Sequence, residues 1–400
     1  VNLLETKTGR ATLATGLYFT EGAPIGFIWW AMPTLLRSEG IQIESITSLT
    51  AILIFPWIFK FLWAPLIDSL RSGKEGFKFW ILISQIFMGV FLLPLLFIQP
   101  ANNFFLWGIF LFLHSIFAAT QDVSIDALVI NIVANNERGK INGFMNAGML
   151  IGRSIFGGGS IIIAGSFGLN YVIIFLILTI LSTMFLLIIV QEPKLIIASQ
   201  NSFQIFKENF LQSFSKINTW VAIIFALTSA SAFESTGALA GPFLNDLNIN
   251  IDSIGVFFAI PVVLAMLFGG IVGGYLSDRV ERKKSVALFL IGFVLSIIII
   301  SIYNLNGGSG SLIYFSLFTI MYFFVGLFTT SSYALFMDLT NPRIGGTQFS
   351  TYMAATNGCE AWAVWLAGIT TASFSYSYAF ILMSIISLLS LGLLKHIKWE

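Results

Sequence analysis

Residues 281–304 read Glu-Arg-Lys-Lys-Ser-Val-Ala-Leu-Phe-Leu-Ile-Gly-Phe-Val-Leu-Ser-Ile-Ile-Ile-Ile-Ser-Ile-Tyr-Asn. Three basic residues, Arg282, Lys283 and Lys284, are followed by twenty residues (285–304) without a charge. A helix needs roughly 20 apolar residues to cross the hydrocarbon core of a bilayer. Such a run cannot be a soluble strand, and it lacks the alternation of an outer-membrane barrel strand. The chain therefore spans a membrane by helices.

The same pattern extends over the chain. Hydrophobic residues make up 57% of the 400, charged residues 10%, and mean hydropathy is +0.90. A soluble domain carries about 25% charged residues. These values exclude a soluble enzyme, a disordered protein and a disulfide scaffold. Net charge is +1, which gives no basis for nucleic-acid binding. The single cysteine, Cys359, excludes an internal disulfide and a cysteine metal site, and two histidines are too few for a cluster. No metal and no cofactor are expected. VNLLETKTGR at the start does not read as a cleavable signal.

Apolar runs bounded by charged or Gly/Asn/Pro-rich breaks predict twelve spans. They lie near 11–36, 45–68, 79–98, 104–131, 139–163, 169–190, 219–243, 253–276, 285–304, 312–337, 346–369 and 374–394. Of the 20 Lys and Arg, seventeen fall on one set of loops and tails, and Arg37 alone falls on the other. Lys60 and Arg153 lie inside spans. The positive-inside rule puts the basic face, with both termini, in the cytoplasm. Residues 191–218 form the longest connection and include an amphipathic piece, FQIFKENFLQSF, suited to the membrane surface. The predicted organisation is a six-helix bundle at 1–190, a cytoplasmic linker at 191–218 and a second six-helix bundle at 219–400.

The halves resemble each other. Pro33 with Glu44-Ser45-Ile46 matches Pro242 with Asp252-Ser253-Ile254, at an offset of about 209. Asp68 matches Asp278, and Gly139 to Arg153 matches Gly346 to Glu360, at offsets of 210 and 207. Parallel six-span repeats of this kind are the plan of the major facilitator superfamily. The loop Gly273-Gly-Tyr-Leu-Ser-Asp278-Arg279-Val-Glu-Arg282-Lys-Lys resembles that superfamily's hallmark loop, and Pro65-Leu-Ile-Asp68-Ser-Leu-Arg71 is a degenerate copy. An acid at a helix end beside arginines can latch helices by charge-assisted bonds. Asp68, Arg71, Asp278, Arg279 and Arg282 are thus the candidate cytoplasmic gate; the plainer reading is a basic loop that sets topology.

Seven ionisable residues fall inside spans: Glu21, Lys60, Asp122, Asp126, Arg153, Glu234 and Glu360. Uncompensated, they would cost about 20 kcal/mol on insertion scales. They must face one another, a wet cavity or a ligand. Asp122 and Asp126, four apart, share a helix face. Nearby carboxylates resist double ionisation, which suits proton uptake. Glu21 and Glu234 fall in matching places of the two halves, and Glu360 ends a polar stripe containing Tyr352. These five acids are candidates for proton coupling. Lys60 needs an interior partner or an anionic cargo. Arg153, on a stripe with Asn146, can fork onto a carboxylate or phosphate, or pair internally with Asp122 or Glu360. Trp29 and Tyr352 are candidate cavity residues. Gly269-x-x-x-Gly273 reads as helix packing.

Four stretches resemble the AmpG-like permeases and their acetyl-CoA transporter relatives within the superfamily. They are Gly22-Ala-Pro-Ile-Gly26 running into Leu35-Leu-Arg37, Phe59-Lys60-Phe-Leu-Trp-Ala-Pro65-Leu-Ile-Asp68, Ala119-Thr-Gln121-Asp122-Val-Ser-Ile-Asp126-Ala, and Ala334-Leu-Phe-Met-Asp338-Leu-Thr-Asn-Pro. The resemblance implies a proton-driven importer of the bacterial inner membrane; a monomer is expected, and without an HExxH, a nucleophile motif or a metal cluster no enzymatic activity is expected. Its partners would be a small-molecule solute, protons and the lipid bilayer. Family cargoes include muropeptides, siderophores and CoA derivatives; twelve spans with short loops favour the siderophore type. By motif, Lys60, Gln121, Asp122 and Asp126 carry over as site residues, whereas Arg153 follows Gly152 rather than lying inside a G-x-x-x-G. The rival readings are a proton-antiport exporter and a non-transporting membrane sensor.

Overall fold

The computed structural model describes residues 3–64, 67, 76–133, 138–188, 190–191, 211, 214–340 and 345–397. Among the described residues the chain forms twelve helical spans and no strand. The first half holds α1 (7–38), α2 (Ile43–Leu62), α3 (Phe77–Leu96), α4 (Phe104–Ile132), α5 (138–167) and α6 (Leu169–Ile188). The second holds α7 (Ile217–Asp246), α8 (Ile251–Arg279), α9 (Arg282–Leu305), α10 (Ser311–Asp338), α11 (Gly345–Ser373) and α12 (Tyr376–Leu394). Ten are long and apolar enough to cross a membrane by length and composition, and α1 and α11 are the other two. Those two carry Glu21 and Glu360 among glycines and hydroxyl residues, and in a bilayer such helices must bury their polar groups against protein or water.

Helices dominate because the hydrocarbon leaves a backbone N–H nowhere else to bond. Their ends are marked locally. Thr6 caps α1 by accepting the Gly9 N–H at 3.0 Å, and Asn250 caps α8 by accepting the Asp252 N–H at 2.8 Å. Gly40, at φ +84°, and Gly168, at φ +95°, make the tight connections α1–α2 and α5–α6 in a backbone region that side chains disfavour.

Three spans widen into a π turn: Phe27–Ala31 in α1, Ile155–Gly159 in α5 and Phe258–Val262 in α8. Proline accounts for two of them. Pro33 follows the first turn and Pro261 lies in the third, and each removes an N–H from the ladder. Two spans depart from the expected continuous helices. The α-helix of α2 stops at Phe59, and Lys60–Leu62 form a 3-10 turn, so Lys60 sits at a helix end rather than mid-helix. Span α7 breaks at Ala230, between Ile217–Ser229 and Ser231–Asp246. Neighbours satisfy the break: Trp362 Nε1 donates to the Leu227 carbonyl at 2.8 Å, and the Ala232 N–H donates to Ser387 Oγ at 2.9 Å.

The chain forms two compact units. The first takes residues 1–41, 59–197 and 250–260; the second takes 42–58, 198–249 and 261–400. In the first unit, α1 and α5 meet along a glycine seam. A Cβ at Gly22, Gly26, Gly148 or Gly152 would strike the backbone of Met149, Arg153, Thr15 or Phe19 respectively. In the second unit, Gly269, Gly273 and Gly326 do the same for α8 and α10, in line with the packing role read from the sequence. The gate positions Asp68 and Arg71 lie outside the described residues, as does nearly all of the amphipathic linker piece.

Candidate functional site

The first unit gathers ionisable side chains from four helices. Helix α4 supplies Gln121, Asp122 and Asp126, and α1 supplies Glu21. The 3-10 turn ending α2 supplies Lys60, and α5 supplies Arg153. Lys60 Nζ lies 2.5 Å from Asp122 Oδ2, an ion pair whose side chains are 25% and 8% exposed. The Tyr18 hydroxyl, on α1, donates to Asp126 Oδ1. With three connections between them, α1 and α4 run in opposite directions. Glu21, one turn beyond Tyr18, therefore comes alongside Asp122, one turn before Asp126. Glu21 is buried, lies within electrostatic reach of Asp122, Asp126, Lys60 and Arg153, and leaves its Oε2 without a hydrogen bond.

Two further side chains, on α4 and α5, carry unsatisfied polar atoms. Gln121 is fully buried, and among the described residues neither its amide oxygen nor its nitrogen has a partner. Arg153 is half-buried, its Nε has no partner, and it makes no ion pair among the described residues. An internal pair with Asp122 is thus absent among the described residues, and Asp122 is taken by Lys60. Among the described residues of the cluster, three carboxylates stand against two cations. With every group ionised, one negative charge is in excess where the effective dielectric is low, and a proton or a ligand must balance it.

The other expected residues are placed elsewhere. Asn146 is exposed on α5, and Trp29 is half-buried in the π turn of α1. Glu234, Glu360 and Tyr352 belong to the second unit. Glu234 opens the half-helix after the α7 break, and Glu360 is buried; both lie within electrostatic reach of the buried Cys359. Tyr352 is fully buried, accepts a hydrogen bond from Gln348 at 2.9 Å and stacks on Phe336. His114 bonds the Met88 carbonyl through Nδ1 at 3.0 Å, the behaviour of a bonded interior histidine.

At the start of α9, Arg282 bridges two acids. Its NH1 is 3.2 Å from Asp278 Oδ1, and its Nε pairs with Asp338 at the end of α10. Arg279 instead lies over the Tyr275 ring, 4.0 Å from its centroid. Sequence reasoning did not assign roles to Tyr18 or Asp338. For Tyr18 the available signal was its spacing of three from Glu21 on one helix face; for Asp338 it was a lone acid ending a span.

Among the described residues, twelve helical spans, with a buried cluster of opposite charges inside the first unit, fit the plan of a secondary transporter. The Major Facilitator Superfamily model matches residues 14–240 and 219–397, and the chain belongs to that family. It is 26% identical over 388 residues to a Rickettsia prowazekii protein named "Putative transporter AmpG 3", covering 92% of this chain and 91% of that one. It is 24% identical over 384 residues to an AmpG 1 transporter relative of Rickettsia bellii, covering 91% and 92%. Among solved structures, a D-xylose-proton symporter superposes with a TM-score of 0.78 at 13% identity over 96% of each chain. The nucleoside transporter NupG gives 0.77 at 10% identity over 97% of this chain and 99% of its own. The protein is a multi-pass membrane transporter of the superfamily with AmpG-like relatives.

Proposed function

We propose that this transporter imports an organic, anionic solute together with protons across the bacterial inner membrane, as a monomer, by alternating access. Residues 1–190 and 219–400 form its two working halves, joined by a cytoplasmic linker at 191–218, with both termini in the cytoplasm. The observation that supports this reading is the Lys60–Asp122 ion pair inside a cluster with one carboxylate in excess.

In the empty carrier Asp122 holds Lys60. A proton arriving from the periplasm neutralises one of Glu21, Asp122 and Asp126. Once Asp122 is neutral it no longer competes for the ammonium, and Lys60 is free to take an anionic group of the solute. Gln121 and Arg153, which carry unused hydrogen-bonding capacity, hold the rest of the polar contact, with Asn146 and Trp29 of the same unit as further contacts. Loss of the proton on the cytoplasmic side restores the Lys60–Asp122 pair and expels the solute. Glu234 and Glu360 are further proton carriers in the second unit. Asp278, Arg279 and Arg282, with Asp68 and Arg71 as their counterparts, act as the cytoplasmic gate.

The test begins with a thermal-shift screen of purified protein against ferric siderophores, muropeptides and CoA compounds. Uptake of the compound that binds is then followed in right-side-out vesicles under an imposed pH gradient. Accumulation should collapse with a protonophore and fall at least tenfold in Asp122→Asn. Uptake indifferent to the protonophore and unchanged in Asp122→Asn would overturn the proposal.

A further inference from the structure

Tyr18 bonds an acid of the cluster, yet its position carries no charge and matches none of the motifs. It is buried at 8% exposure among Leu17, Ile125, Val129 and Met145, and its one polar atom donates to Asp126 Oδ1. Packing alone would be served by phenylalanine. The hydroxyl spans from α1 to α4, three residues from Glu21 and on the same face. Among the described residues, the charged groups around this contact are Asp122 on the same helix as Asp126, Lys60 at the end of α2, and Glu21 on α1. Arg153, on α5, faces Glu21.

We propose that Tyr18 is a positioning residue for the proton-carrying carboxylates: its hydrogen bond fixes Asp126 and ties α1 to α4 while Asp126 is charged. This rests on the proton-coupled reading above. The bond occupies Oδ1, which leaves Oδ2 to accept the proton. Protonation adds one proton at Oδ2 and breaks no covalent bond. It converts a charge-assisted hydrogen bond into a neutral one about half as strong. Loading the proton therefore loosens the α1–α4 tie, and release tightens it again. A tyrosine here links the state of one carboxylate to the contact between two helices.

The experiment is an infrared titration of purified protein in lipid nanodiscs without solute. The Asp126 carboxylic-acid band is identified by its loss in Asp126→Asn. In Tyr18→Phe, which keeps the ring, the pH midpoint of that band should shift by about one unit, the scale of one hydrogen bond to a charged group. Replacing Tyr18 with 3-fluorotyrosine, a more acidic phenol that preserves packing, should shift the midpoint as well and covers the case in which the phenylalanine variant does not fold. Superimposed titrations of wild type and both variants, or an Asp126 that does not titrate, would overturn the proposal. Failure of proton coupling itself shows separately, as wild-type uptake that ignores a protonophore.

Discussion

Lys60 and Asp122 are far apart in sequence and come together because neither tolerates the hydrocarbon alone. An ion pair in this setting is expensive to break and cheap to replace. Removing one partner leaves an uncompensated charge and costs on the order of 3 kcal/mol, whereas replacing both with apolar residues of similar size is close to neutral. Lys60→Ala should therefore lower the melting temperature more than the double variant Lys60→Met/Asp122→Leu does, measured in the same detergent. A double variant as unstable as the single would mean that the pair has no such role. At this scale the charges were legible in the sequence, because a charge inside an apolar run has a cost that demands a partner. The partner of Arg153 was not: the sequence left a cargo anion and an internal acid both open, and among the described residues it makes no ion pair and its Nε is left unsatisfied. Tyr18 was not legible either. The chain has ten tyrosines, and a tyrosine costs little to place in a membrane helix, so only the spacing of three from Glu21 sets this one apart.

The seam between α1 and α5 depends on glycines that let two backbones touch. A side chain at Gly22 or Gly152 has no space, because the atoms it meets are carbonyls of the opposing helix rather than flexible side-chain tips. Gly22→Val and Gly152→Val should destabilise the protein by roughly 1–3 kcal/mol or prevent folding. Gly143→Ala and Gly392→Ala, where nothing lies within 4 Å, should leave the melting temperature within a few degrees of wild type. Equal tolerance at all four positions would show that the seam is looser than described. Span positions were legible at this scale: α4 was read as 104–131 and runs Phe104–Ile132, and α10 was read as 312–337 and runs Ser311–Asp338. The irregularities were not. The π turns and the break at Ala230 depend on which neighbour receives the freed backbone groups, such as Trp362 and Ser387. Hydropathy carries no record of those contacts.

For the whole molecule, twelve spans and a strongly uneven distribution of Lys and Arg set the proposed topology. In a Cys359→Ser background, a cysteine at Lys284→Cys should react with an impermeant maleimide only from the cytoplasmic side. One at Arg37→Cys should react only from the periplasmic side. Lys284 is 75% exposed, so access is assured. Labelling of both from one side would contradict the arrangement. The fold class was legible because membrane insertion writes itself into composition and because the offset of about 209 residues betrays a repeat. Contacts inside the two compact units are not encoded by hydropathy: Gly368 closes on Thr47 in one, and Gly158 on Ala259 in the other.

In the proposed cycle the carboxylate in excess carries a proton along with the solute. The most direct measurement is the pH change outside weakly buffered proteoliposomes when the solute that binds is added to them. External alkalinisation in step with solute uptake, lost in Asp122→Asn, is the predicted result. Uptake with no accompanying proton movement, or with protons leaving the vesicles, would contradict it.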